Sequence, residues 1–279
     1  MDRLVVATLN IWNMQGPWAA RLGLIRAELA RLRPDLLGLQ EVLRFAPDGG
    51  DASDQASVIA EGLGYFIAYG AAGAYGSGLT LGNAWLSRFP ILEYEVFSLP
   101  GAESGERRSL LYALVDAPCG RVPTFVTHLN WKLHHGRFRV PQVRFIVEKI
   151  FELAPVSDAL FPPILVGDFN ADPDSDEMRF LRGLASIDGR SAYFADAWVY
   201  AGEGAGHTDD PRNRFAALFH EPPRRIDYVL VRGPDRHFRG EPLAARLCFA
   251  TPEPGPDGLL WPSDHFGVVA EIAAARREE

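Results

Sequence analysis

Two cysteines in 279 residues, Cys119 and Cys248, are too few for a disulfide framework. Both lie inside or beside apolar runs, so they read as buried free thiols and not as a thiolate metal site. No stretch of about 18 apolar residues occurs, which excludes a membrane-spanning helix on hydropathy grounds. The opening run Leu4-Val5-Val6-Ala7 is too short for the apolar region of a signal peptide. The chain therefore reads as cytoplasmic, and a mature form stripped of a leader would look the same. Cations are also in deficit: 28 Lys and Arg against 36 Asp and Glu leave a formal net charge of -8. That balance argues against a surface given over to a polyanion, while leaving room for a local basic patch. Internal repeats and low-complexity tracts are missing as well.

What is present is ordinary globular material. Hydrophobic residues make up 47% and charged residues 23%, enough apolar matter for a core and no signature of disorder. The length suits one large domain over residues 1–279. Short β-rich runs recur: 4–9, 36–39, 83–86, 110–115, 124–127, 164–166, 226–231 and 267–272. Helical patterns lie between them. One covers residues 19–32, with Leu22, Ile25, Leu29 and Leu32 on one face and Pro34 closing it; another covers 142–153, with Val143, Ile146, Val147 and Ile150. Gly, Pro, Asp and Ser collect at 46–57, 70–78, 100–105, 202–214 and 251–258, which read as surface loops. Strands interrupted by separate helices along the whole chain predict a four-layer α/β sandwich, two packed and mostly antiparallel β-sheets flanked by helices.

Polar residues interrupt the strand ends at Asn10, Glu41, Thr127-His128-Leu129-Asn130, Gly167-Asp168-Phe169-Asn170, Asp227 and Ser263-Asp264-His265. Acids, amides and imidazoles without thiolates suit a hard cation bound through oxygen, Mg²⁺ or Mn²⁺, better than a zinc cage. With Leu39-Gln40-Glu41, Gly82-Asn83-Ala84-Trp85-Leu86-Ser87 and Arg225-Ile226-Asp227-Tyr228, these motifs resemble the endonuclease/exonuclease/phosphatase superfamily in content and order over nearly the whole chain. The likeness falls toward its deoxyribonuclease and neutral sphingomyelinase-like branches, because His128 stands at a strand end where abasic-site endonucleases generally lack a histidine.

Taken alone, Glu41 would pass for an ordinary strand-end carboxylate, Asn10 for a strand cap and Gly167-Asp168-Phe169-Asn170 for a plain turn. The resemblance implies more. Glu41 becomes the principal metal ligand, with Asn10 beside it and Asp264 close to the cation. Asp168 orients and helps deprotonate the attacking water, and Asn170 hydrogen-bonds the phosphate or its neighbours. His265 becomes a phosphate-binding imidazole oriented by Asp227. His128 becomes a phosphate ligand or leaving-group acid. Arg107 and Arg108 precede a strand where the family places a phosphate-binding arginine, and the doublet leaves open which one serves. Asn83 is expected to support His128. The stretch Trp131 to Arg139, with Asn130 before it and Lys132 and Arg137 as its cations, reads equally as a substrate wall or as a solvated helix start. His207, His220 and His237 are expected at the surface.

The implied activity is hydrolysis of a phosphate ester by metal-assisted in-line attack of water. The substrate reading is a small molecule or a lipid headgroup, favoured by the acidic chain and the lack of a basic stripe. A nuclease acting on DNA or RNA is the alternative. A catalytically dead binding module is a third reading, weakened by the presence of every expected group.

Overall fold

The computed structural model describes residues 1–46, 52–219 and 221–275. In chain order its strands are β1 (Arg3–Asn10), β2 (Leu36–Phe45), β3 (Ser53–Asp54), β4 (Phe66–Ala74), β5 (Leu79–Ser87), β6 (Ile91–Ser98), β7 (Ser109–Ala117), β8 (Gly120–His128), β9 (Ile164–Asp168), β10 (Ala195–Asp196), β11 (Asp227–Val231), β12 (Pro242–Cys248), β13 (Glu253–Gly255), β14 (Gly258–Leu260) and β15 (Gly267–Ala273). The helices are α1 (Trp18–Leu32), α2 (Gln55–Ala60), α3 (Gly136–Leu153), α4 (Asp176–Leu181) and α5 (Ala197–Ala201).

The first large sheet has the order β12-β15-β1-β2-β5-β4, with β3 on β2, and the second runs β10-β11-β9-β8-β7-β6. Among the described strands, β1 with β2 and β8 with β9 pair in parallel and the other pairs are antiparallel. Between the sheets lies a core that includes Leu4, Val6, Val126, Val166, Val229 and Val268. Behind the first sheet, Leu9, Leu37 and Leu39 pack on Ile25 and Leu29 of α1 and Ile59 of α2. Behind the second, Phe125, Leu165 and Leu230 pack on Val143, Ile146 and Ile150 of α3. The architecture is thus the four-layer α/β sandwich that the strand and helix order predicts.

Side chains alternate across a strand, so each strand sends every second residue into the gap between the sheets. In β1 that set is Leu4, Val6, Thr8 and Asn10. In β8 it is Val122, Thr124, Val126 and His128; in β9 it is Ile164, Val166 and Asp168; in β11 it is Asp227, Val229 and Val231. The core-forming members of each set are buried in the inter-sheet cluster. Asn10, His128, Asp168 and Asp227 therefore sit at the ends of apolar stripes, where the gap opens. Two glycines allow the close approach this needs. A Cβ on Gly38 would lie 2.4 Å from Val166 of the opposite sheet, and one on Gly167, whose φ is +146°, would lie 2.0 Å from the Thr127 carbonyl oxygen.

Several expectations are corrected. Helix α1 buries Arg21, Ile25 and Leu29, while Leu22 and Leu32 are only half-buried, so its inward stripe begins with a cation. Helix α3 starts at Gly136 and contains Pro141, six residues earlier than the apolar pattern from 142. Pro141 lies in the second turn and has no N–H to give to the Arg137 carbonyl one turn earlier. The expected loop 70–78 is half strand, since β4 runs to Ala74, and the expected loop 251–258 contributes β13 to a hairpin with β14. Cys248 is buried, but Cys119 is only half-buried, and both are free thiols. Part of the expected loop 46–57 and His220 lie outside the described residues. Among the described residues, no helix is long and apolar enough to cross a membrane.

Candidate active site

The second sheet assembles its part of the site by register alone. His128 faces Asp168 across the parallel β8–β9 pair, and Asp168 faces Asp227 across the antiparallel β9–β11 pair. Residues opposite each other in a ladder share a face, so all three point into the gap. His128 Nε2 lies 3.4 Å and His265 Nε2 3.9 Å from Asp168 Oδ2. Asp168 Oδ1 accepts from the Asn170 amide at 2.9 Å and Oδ2 from Asn10 Nδ2 at 3.0 Å, a bond that crosses between the sheets. Asn170 itself sits at φ +50° and donates through Nδ2 to the Leu129 carbonyl at 3.2 Å.

The first sheet needs irregular backbone. Strict alternation would send Glu41 to the helix side with Leu37 and Leu39. A β-bulge between Leu39 and Val42, with Glu41 at φ +58°, turns its carboxylate into the cleft instead. A non-glycine residue held there is strained and persists only where its surroundings dictate it. Glu41 Oε2 accepts from Asn13 Nδ2 at 2.8 Å, and Oε1 lies 3.4 Å from Asn10 Nδ2. His265 precedes β15 and bonds Asp227 Oδ2 through Nδ1 at 2.9 Å. Its neighbour Asp264 places Oδ1 3.1 Å from the Ser263 hydroxyl, which donates to the Asn10 carbonyl at 2.7 Å.

Beneath this half lies Arg21, fully buried. Its guanidinium donates to the carbonyls of Ile11 and Pro262, each at 2.9 Å, and to those of Asn13 and Gln15 at 3.0 and 2.8 Å, tying the β1–α1 and β14–β15 loops together. Burial pushes its pKa down to about 10, against the pull of Asp264 and Glu41.

Electrostatics divide the site. Burial, followed by the charge of Asp227, pushes Asp168 up to about 7. Burial, together with Glu41, does the same to Asp264, again to about 7. Burial opposes charge on His265, but Asp227, Asp264 and Asp168 outweigh it and hold its pKa well above the ordinary imidazole value. His128 goes the other way: burial, Arg108 and His265 all push it well below that value. The cleft measures about 450 Å³ and is lined by Asn10, Glu41, His128, Asp168, Asn170, Asp264 and His265, with Trp12, Trp131 and Leu218 as apolar walls.

Other expected residues lie elsewhere. Asn130 turns away from the cleft, donating to the Ser104 hydroxyl at 2.7 Å and accepting from Gln142 at 2.7 Å. Of the expected basic wall, Trp131 reaches the cleft while Lys132 does not. Arg137 is exposed and stacks on Phe138, next to Pro100 and Glu103 on a different surface. Arg107 is exposed, its stem beside Gly73. Arg108 is mostly buried and salt-bridged to Glu106 at 2.7 Å. Asn83 is buried and donates to the Ser109 carbonyl at 3.0 Å, bracing one sheet on the other one residue beyond Arg108. Arg225 forms a buried ion pair with Asp196 at 2.9 Å.

Asn13, Arg21 and Asp209 were not foreseen. Asp209 lines the cleft, and burial raises its pKa. Asn13 stands three residues after Asn10 and could have been found as a second amide on the same loop. Arg21 and Asp209 carry no local signal.

The chain belongs to the endonuclease/exonuclease/phosphatase family, whose sequence model matches residues 8–265. Enzymes of this family hydrolyse phosphoester bonds and typically use divalent metals. The fold is similar to that of D. rerio TDP2 complexed with single strand DNA product, with a TM-score of 0.73, 20% identity and coverage of 97% of this chain and 98% of that one. It is also similar to an endonuclease/exonuclease/phosphatase from Bacteroides vulgatus, with a TM-score of 0.71, 20% identity and coverage of 98% and 99%. The human Nocturnin catalytic domain with bound sulfate anion gives a TM-score of 0.70, 18% identity and coverage of 98% and 93%. At such identities the likeness is one of fold. No curated protein sequence matches the chain.

Proposed function

We propose that the protein is a Mg²⁺- or Mn²⁺-dependent phosphodiesterase or phosphatase acting on a small molecule or a lipid headgroup, with residues 1–279 as one catalytic unit. The observation that carries this reading is the convergence of Glu41, Asp168, Asp227, His128 and His265, from five separate stretches of chain, on one cleft.

The residues present fit a divalent cation. The donors are carboxylates and amides without thiolates, the preference of hard cations. Asp168 and Asp264 are raised to about 7 by burial first and by Asp227 and Glu41 respectively, a cost that a cation bound beside them would offset. The Oδ1 atom of Asp227 is buried without a hydrogen-bond partner. Asp168, Asp227 and His265 also bring one ligand atom each within 4.8 Å of one another. That trio is tied internally by the Asp227–His265 hydrogen bond, so Glu41, Asn10 and Asp264 are the residues we assign to hold the cation. A cation there would supply Lewis-acid stabilisation of charge on the phosphoryl oxygens.

The rest belongs to the chain's own groups. Asp168, gripped at both oxygens, orients a water and takes its proton as the water oxygen attacks phosphorus. A base whose pKa lies near the working pH is matched to that task. His265, kept charged and oriented by Asp227, binds a phosphoryl oxygen through Nε2. His128 approaches the same space, and Asn10 and Asn170 fix the Asp168 carboxylate. The ester P–O bond breaks in line with the attacking water.

The cleft's own charge supports a small substrate. Besides His265, the only cation among the described lining residues is Arg224, which is occupied by Asp172 at 3.0 Å and Glu221 at 2.8 Å. A polyanion entering past Glu41, Asp209 and Glu221 would meet like charge. A nuclease is the second reading, favoured by the DNA product in the TDP2 neighbour. The test is a Mg²⁺ and Mn²⁺ panel of bis-p-nitrophenyl phosphate, sphingomyelin, inositol phosphates, RNA, and single-stranded and duplex DNA. Turnover of the aryl or headgroup esters with weak salt dependence supports the proposal. Preference for DNA or RNA, with a KM that climbs steeply with salt, replaces it by the nuclease reading.

A further inference from the structure

The two histidines of the cleft face opposite kinds of partner. His265 presents Nδ1 to a carboxylate, whereas His128 presents Nδ1 to a guanidinium: Arg108 Nη1 lies 2.9 Å away. A guanidinium has donors and no acceptor. A contact of that length is a hydrogen bond only if His128 Nδ1 offers its lone pair, which leaves the ring proton on Nε2. A second proton on Nδ1 would set N–H against N–H, cation against cation, in a place with little water to screen them.

The surroundings hold Arg108 to this task. Glu106 Oε2 accepts from Arg108 Nη2 at 2.7 Å and from Nε at 3.2 Å, so the far side of the guanidinium is occupied by a carboxylate and its charge is secured. Both side chains are largely buried, at 11% and 13% exposure, so the pair is not a loose surface contact. The adjoining Ser109 carbonyl accepts from Asn83 Nδ2 at 3.0 Å, reaching from the other sheet, and from Thr127 Oγ1 at 3.2 Å, one residue before His128. Arginine and histidine are thus anchored on the same short piece of the β7–β8 ladder. The charged or titratable groups facing the His128 ring are Arg108, Asp168 and His265.

We propose that Arg108 is a positioning residue that locks His128 in the neutral tautomer bearing its proton on Nε2, making His128 a fixed hydrogen-bond donor to a phosphoryl oxygen and not the acid that protonates the leaving group. The proposal rests on the reading that a phosphate ester binds in this cleft. A neutral imidazole with one proton could act as an acid only by becoming imidazolate, which the neighbouring carboxylate of Asp168 disfavours. Arg108 then acts on the substrate through His128, with no contact of its own. The site contains one imidazole kept cationic by carboxylates and one kept neutral by a cation, each donating from Nε2 into the same space.

The tautomer can be observed without turnover, so its failure is distinguishable from failure of the functional reading. Protein labelled with ¹⁵N in histidine and kept metal-free is examined by long-range ¹H–¹⁵N correlation from about pH 5 to about pH 9, with His128→Gln used to assign the signals. The expected result is a pyridine-like Nδ1 and a pyrrole-like Nε2 for His128 across the whole range. An imidazolium pattern at about pH 6, or a proton on Nδ1 at any pH in the range, overturns the proposal. In Arg108→Met, no donor holds Nδ1, so the single fixed tautomer should be lost and a proton should appear on Nδ1 within this range, although burial and His265 still hold the pKa of His128 down. A His128 that keeps its proton solely on Nε2 across the whole range in that variant also overturns it. Should Arg108→Met fail to fold, the wild-type spectrum alone decides. In kinetics, Arg108→Lys should recover part of the kcat lost in Arg108→Met with little change in KM, because one donor to Nδ1 is restored; equal kcat values for the two folded variants, with only KM raised, would mark Arg108 as a direct phosphate contact and overturn the assignment.

Discussion

The second sheet delivers His128, Asp168 and Asp227 from three neighbouring strands at facing register positions, whereas the first delivers Glu41 from a bulge and Asp264 and His265 from a loop braced by the buried Arg21. The first group inherits its geometry from the ladder itself, and shifting it would require breaking strand pairing. The second depends on strained backbone and on a cation under the loops, so its geometry is the part that a bound metal would tighten. In the proposed mechanism the residue assigned to the water, Asp168, stands on the ladder-borne half, and the residues assigned to the cation other than Asn10 stand on the other.

Breaking the ladder-borne half should have the largest effect. Asp168→Asn should lower kcat by about 10²–10⁴-fold, the usual contribution of a general base. Its Tm in metal-free protein near neutral pH should hold or rise, because a buried carboxylate with a raised pKa is costly to ionise. A folded variant with near-wild-type kcat would remove Asp168 from the mechanism. His265 is loop-borne but hydrogen-bonded to Asp227 of the ladder, and is the member of its half expected to show in chemistry: His265→Gln, which takes away a charged donor, should cost about 10²–10³-fold in kcat. The same loss appearing only in KM would make His265 a ground-state binder.

Breaking the loop-borne half should show in stability before chemistry. Arg21→Met leaves the carbonyls of Ile11 and Pro262 without their buried donor and should destabilise by about 3 kcal/mol, read by urea unfolding. A loss below about 1 kcal/mol would mean that the loops hold without it.

The pH dependence of stability sharpens the contrast. In metal-free folded protein, Asp168 and Asp264 retain protons up to about 7, and His265 retains its proton well above the ordinary value. The unfolded chain releases these protons near about 4 and about 6.5 respectively. Between about pH 6.5 and pH 8 the folded state therefore binds more protons, and stability falls as pH rises. His128, whose pKa is lowered, gives the opposite slope, but only below about 6.5. Chelator-treated protein should lose Tm across this window and regain it with Mg²⁺, while a flat profile indifferent to Mg²⁺ would contradict the charge balance proposed for the site. The smallest effect is expected from Lys132→Glu with Arg137→Glu, since neither side chain lines the cleft. KM for a small diester should change less than about twofold, and a tenfold rise confined to DNA would favour the nuclease reading.

The same contrast explains what could be read in advance. The ladder-borne residues were visible as polar interruptions at the ends of apolar runs, because they continue an alternation that the core already imposes. Glu41 also stood out as a polar strand end, but only its motif pointed it at the site, since alternation alone would have turned it to the helix side. Arg21 lies within a helix pattern whose apparent stripe, Leu22 to Leu32, is offset from the buried one, and nothing local distinguishes it from the exposed Arg31. Strands β4, β6 and β12 escaped notice for a common reason: each lies at a sheet edge. Their sequences are glycine- and alanine-rich or carry exposed charges such as Glu93 and Glu95, as edge strands do. The placement of Asn130 and Lys132 followed from the turn after β8, which tucks Asn130 under the surface, brings Trp131 to the cleft and leaves Lys132 outside its lining, and strand-end motifs carry no information about that.

The most direct test of metal-assisted hydrolysis at this cleft is the Mg²⁺ dependence of bis-p-nitrophenyl phosphate turnover in wild type, Glu41→Gln and Asp168→Asn, with folding verified by circular dichroism. Saturable Mg²⁺ activation in wild type is expected, with the half-saturating concentration raised at least about tenfold in Glu41→Gln and kcat lost at every Mg²⁺ concentration in Asp168→Asn. Turnover that persists in chelator, or variants that respond to Mg²⁺ as wild type does, would contradict it.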